Sequence, residues 1–69
     1  MTPRRMATVL RDLRKNADPP LTQEQLAKKS KIPRGYLAKL ETGYAKNPSL
    51  DVLKRLAKAL GVPVTELLE

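Results

Sequence analysis

Apolar residues return every three or four positions along this chain, and the returns break off at proline, glycine or a small polar residue. Met6, Val9, Leu10, Leu13 and Ala17 form the first stripe, the spacing of a helix that buries one face. Thr2-Pro3 opens it with a capping oxygen and a proline already at helical φ. Asp18-Pro19-Pro20 closes it, because neither proline can extend the hydrogen-bond ladder. Thr22 opens a second helix, with Gln25 at the capping-box spacing and Leu21 and Leu26 flanking the box as a hydrophobic staple. Leu26, Ala27 and Ser30 face inward on it, and Glu24, Gln25, Lys28 and Lys29 face out. Ile32-Pro33 restarts the chain into a third helix, which stops at Gly43. Ser49 caps a fourth, with Leu53, Leu56, Ala57 and Leu60 inward, and Gly61 ends it. Val62-Pro63 begins a last short turn of helix carrying Val64, Leu67 and Leu68. No strand pattern, repeat or low-complexity segment interrupts the series. The pattern predicts an all-α fold, one compact five-helix domain over residues 1–69.

Composition changes the picture mainly by exclusion. With 69 residues the chain sits near the lower limit for an unassisted hydrophobic core. It has no cysteine and no histidine, which removes disulfides, thiolate chemistry, the commonest general base and the usual zinc ligands. No metal or other cofactor is expected, and no catalytic constellation or phosphate-binding glycine loop is present. No apolar run approaches the ~20 residues of a membrane span, and no signal-peptide segment opens the chain, so a cytoplasmic protein is expected. Fourteen Lys and Arg against seven Asp and Glu leave a net charge of +7. A merely soluble, lysine-rich surface is one account of that charge. An anionic partner is the favoured one, since so much like charge on a small body repels itself.

The third helix carries the sharpest signal. Over residues 34–42, Leu37 and Leu40 fall on one side and must point into the core, while Arg34, Gly35, Ala38 and Lys39 fall on the other. Two long cations beside two residues of almost no bulk let a backbone approach base edges, where Arg pairs bidentately with guanine. A solvated charged face is the plain alternative, but such a face would carry more glutamate, and none occurs before Glu41. Glu41 is aimed inward with the leucines, so a cation must meet it; Arg14, on the inward side of the first helix, is the expected partner. Tyr36 and Tyr44 lie in or beside this helix, either as packing residues or as hydroxyl donors to phosphate.

These elements, in order, resemble a known family. Leu10 through Arg14, Leu21 through Ala27, Ile32 through Gly43, Asn47-Pro48-Ser49-Leu50 and Leu56 through Val62 are similar to the Cro/repressor-type (Xre-like) helix-turn-helix family, over about residues 8–68. The resemblance implies that Arg34, Gly35 and Lys39 face bases in the major groove of double-stranded DNA, and Ala38 shares that face by its spacing. It implies that Gln23 bonds a phosphate and braces the reading helix, and that Lys46 and Asn47 grip the backbone; Tyr36 joins the phosphate set. Arg14 and Glu41 match the family's internal ion pair. Three departures stand out: Lys31 where the turn usually has glycine, Pro33 in place of a Ser or Thr cap, and a loop lengthened by Asp18-Pro19-Pro20.

The function expected is a sequence-specific transcriptional regulator, a repressor acting as a homodimer on a palindromic operator, because one reading helix covers too few base pairs. Val64, Leu67 and Leu68 are candidates for the dimer seam, or else cover the core. An antitoxin-like protein-interaction module of the same fold is the alternative.

Overall fold

The computed structural model describes residues 3–45 and 48–68, so the expected Thr2 cap and the Lys46-Asn47 phosphate grip lie outside the described residues. Within them the chain is helical throughout its elements: α1 (Pro3–Lys15), α2 (Gln23–Ser30), α3 (Arg34–Thr42), α4 (Leu50–Leu60) and α5 (Thr65–Leu68). No strand occurs among the described residues.

The helices begin where side chains satisfy free amides. Thr22 Oγ1 accepts from the Gln25 amide at 3.1 Å, and Gln25 Oε1 accepts from the Thr22 amide at 2.9 Å, completing the capping box. Ser49 Oγ accepts from the Val52 amide at 3.1 Å. Pro33 leads into α3 with no side-chain cap, so the first amides of that helix keep their positive end open.

Helices α2, α3 and α4 end in left-handed residues, at Lys31 (φ 60), Gly43 (φ 81) and Gly61 (φ 72). After α2 the Ile32 amide reaches the Ala27 carbonyl, and after α4 the Val62 amide reaches the Ala57 carbonyl, each at 3.0 Å. The same reversal thus drops an apolar residue back on the core twice.

One boundary differs from the pattern. The stripe carries α1 as far as Ala17, but the helix ends at Lys15 and Ala17 lies beyond it, half-buried. The cause is the return of the chain: the Leu21 amide bonds the Arg14 carbonyl at 3.1 Å, and the residue before a proline avoids helical ψ. α5 starts at Thr65, and its Glu66 and Leu67 amides bond back to the Pro63 and Val64 carbonyls.

Leu10, Leu26, Leu37, Leu40 and Leu56 have no exposed surface, and Met6 and Leu67 have 1% each. Burial of each such side chain contributes about 1.5–3 kcal/mol. α1 packs on α3, α2 lies against both α3 and α4, and α5 closes the end against α1 and α4. Each helix therefore spends its apolar stripe on neighbours, and the polar face of α3 is left outward.

Candidate nucleic-acid interface

The faces of α3 separate as the spacing predicts. Leu37, Leu40 and Glu41 are buried, while Arg34, Gly35 and Lys39 are exposed and Ala38 is half-buried at the edge. A Cβ added at Gly35 would meet nothing within 4 Å, so the fold itself does not demand glycine there. Tyr36 is half-buried against the core, which makes packing its first role.

Arg34 also lines a groove at the amino end of α2, with Thr22, Gln23 and Glu24 opposite it. The two helices are joined only by Lys31, Ile32 and Pro33. The amide end of α2 and the Arg34 side chain thus line one groove, an arrangement that favours an anion.

Under that groove lies the polar hub of the molecule. Arg14 Nε donates to Glu41 Oε2 at 2.7 Å and Nη2 donates to Oε1 at 2.9 Å, a two-pronged pair. Nη1 donates to the Leu21 carbonyl at 2.9 Å. Gln23 Nε2 donates to Glu41 Oε1 at 3.2 Å. The Glu41 side chain is 2% exposed and that of Arg14 11%. Among the described residues no buried side-chain polar atom lacks a partner. The Glu41 carboxylate thus ties α1 and α2 to α3, and the Arg14 guanidinium adds the loop after α1.

The spacing of apolar residues anticipates the Arg14–Glu41 contact but not the two further partners. The Leu21 carbonyl is a backbone group with no sequence signature. For Gln23 only the family resemblance implies a bracing role, and the structure shows the contact that serves it, Gln23 to Glu41 on α3.

Past α3 the chain turns tightly. The Ala45 amide bonds the Lys39 carbonyl at 3.0 Å, and Tyr44, 76% exposed, sits with its ring centroid 5.8 Å from Lys39 Nζ. This contact extends the exposed surface of α3 beyond its last turn. At the other end of the chain, the three seam candidates divide. Leu67 is taken into the core beneath α1 and α4, so its side chain is not available at the surface. Val64 is half-buried against the core, and Leu68 is 41% exposed.

Two helices crossing through a short turn, the second with a cationic outer face and no cap on its amide end, define a helix-turn-helix domain built to face a nucleic acid. A family model described as Helix-turn-helix matches residues 10–67. The chain belongs to the Xre/Cro-like helix-turn-helix family of DNA-binding transcription regulators.

Among curated proteins it is 42% identical over 45 residues to the HTH-type transcriptional regulator SlrR of Bacillus subtilis (strain 168), covering 65% of this chain and 30% of that protein. It is 47% identical over 47 residues to the immunity repressor protein of Bacillus phage phi105, covering 68% of this chain and 32% of that protein. The match thus spans about a third of the length of these relatives.

Among solved structures it resembles the restriction-modification controller protein C.AhdI from Aeromonas hydrophila (TM-score 0.85, 35% identity, 94% of each chain). It also resembles the clp gene regulator ClgR from Corynebacterium glutamicum (TM-score 0.86, 31% identity, 99% of this chain and 69% of that one). No helix among the described residues is long and apolar enough to cross a membrane.

Proposed function

We propose that this chain is a sequence-specific double-stranded DNA-binding regulator of transcription, acting in the cytoplasm as a homodimeric repressor. The observation that carries the reading is the outer face of α3. Arg34, Gly35 and Lys39 stand exposed on a helix whose opposite face is locked down by Leu37, Leu40 and Glu41. Placed in a major groove, Arg34 and Lys39 reach base edges, and Gly35 and Ala38 let the backbone come close.

Gln23 spends one Nε2 hydrogen on Glu41 and keeps the other for a phosphate beside the α2 amide end. Lys46 and Asn47 take the phosphate role the family resemblance gives them, and the Tyr36 hydroxyl supplements it. Leu68 with the exposed edge of Val64 supplies the apolar part of the dimer seam, which places two reading helices about one helical turn apart.

Selection of bound sequences from random duplex DNA tests this reading as a whole. A palindromic consensus with a fixed half-site spacing is expected. Recovery of no enriched sequence would remove the base-reading role of α3.

A further inference from the structure

A second charged surface lies between α2 and α4, with Lys31 of the turn before α3 at one end and Leu21, which also lines the groove at Arg34, at the other. Lys29, Lys31, Arg55 and Lys58 stand around a groove between the carboxyl half of α2 and α4. All four are exposed. A second stretch of groove shares Lys29, Lys58 and Ala59 with the first and runs on to Ala17, Leu21, Pro19 and Leu60. No residue of α3 lines either stretch. The first also lies at the opposite end of α2 from the groove at Arg34, about 12 Å along the axis for eight helical residues. The acids facing it are Asp51, which pairs with Arg55 at 2.9 Å, and Asp18 at the far end.

Two features set this groove apart from a solvated basic face. The first is Lys31, which holds φ 60, a left-handed conformation that a side chain disfavours and that glycine adopts freely. The Lys31 carbonyl is fastened by Arg55 Nη1 at 3.3 Å, so turn and α4 hold the two cations side by side. The second is what lines the groove: from Lys31 and Arg55 it runs past the shared Lys29 and Lys58 to Ala17, Pro19, Leu21 and Leu60, so cationic and aliphatic side chains stand along one path. A DNA backbone presents phosphates without apolar groups and gains nothing from the aliphatic side chains, whereas a peptide can meet both.

We propose that the α2–α4 groove docks a peptide segment of a partner protein, with acidic side chains against Lys29, Lys31, Arg55 and Lys58 and aliphatic ones against Leu21 and Leu60. The docking does not require DNA and leaves α3 open, so the partner can be held while an operator is read. Exposed ion pairs are individually weak; four of them beside an apolar floor give a modest, salt-sensitive affinity suited to a transient contact.

The test uses the full chain, labelled with nitrogen-15, and three probes: a short peptide with an acidic half and an aliphatic half, the same peptide with serine for each aliphatic residue, and a mixed-sequence duplex. The first peptide should move the amide signals of Lys29, Lys31, Arg55, Lys58 and Leu60 and leave those of Arg34 to Lys39 in place. The serine peptide should bind several-fold more weakly. The duplex should move the α3 signals and leave Lys29 and Lys58 unmoved.

K29Q/K58Q should weaken the first peptide about fivefold without changing the signals the duplex moves, and K29E/K58E should weaken it further. Peptide shifts centred on α3 would overturn the proposal, as would equal binding of the serine peptide. Duplex shifts at Lys29 and Lys58 would assign the patch to the DNA footprint instead. Absence of any peptide shift in the groove would remove the docking site while leaving the DNA reading intact.

Discussion

At the scale of single residues, Arg34 and Gly35 make opposite demands on the same face. Arg34 is exposed, and loss of its side chain should leave the fold unchanged. Arg34→Ala is therefore expected to relax preference at one operator position by about 1–3 kcal/mol, measured by titrating the selected site against single-base variants. An equal loss on scrambled DNA would mean that Arg34 touches only the backbone. Gly35 has open space where a Cβ would stand, and glycine inside a helix costs about 0.5–1 kcal/mol relative to alanine. Gly35→Ala should raise Tm by about 2–8 °C. If α3 lies against base edges there, the same variant should bind the operator more weakly. A more stable protein with unchanged affinity would show that the backbone keeps its distance from the duplex. The role of Gly35 is only half legible in the sequence, since a missing side chain says nothing of what fills the space.

Among elements, what could be read in advance was whatever depends on local spacing. The capping box at Thr22, the Ser49 cap and the Gly43 and Gly61 stops all depend on residues within one turn, and each is found as spaced. The end of α1 departs from its apolar stripe because it depends on a contact formed elsewhere: the return of Leu21 to Arg14 peels the chain away before the stripe has ended. Leu67 was ambiguous for the same reason, because helical spacing cannot separate a core face from a seam until α1 and α4 are in place. The hub linking three helices yields the clearest element-scale prediction. Glu41→Ala leaves the Arg14 guanidinium with the Leu21 carbonyl but no countercharge. The expected cost is about 3–5 kcal/mol, a large share of what a domain this small holds. Urea unfolding followed by circular dichroism should show it, and an unchanged midpoint would mean that water already reaches the pair.

For the molecule as a whole, the net charge of +7 sets how association with DNA responds to salt. If each subunit neutralises three to four phosphates, log affinity should fall against log salt with a dimer slope of roughly −6. A flat response between low and physiological salt would remove the electrostatic part of the model. The hub has a further consequence, for the time domain. Glu41 sits on α3 and its partners Arg14 and Gln23 sit on α1 and α2, 27 and 18 residues away, so α3 is expected to have no opening of its own. Under slow hydrogen–deuterium exchange, the amides of Leu37 and Leu40 should report the same opening free energy as those of Leu10 and Leu26, equal to that of global unfolding. The α5 amides, held by single-turn bonds to Pro63 and Val64, should open earlier and alone. A surface that exchanges only when everything else does meets its ligand already formed, and gives up none of its binding energy to ordering itself.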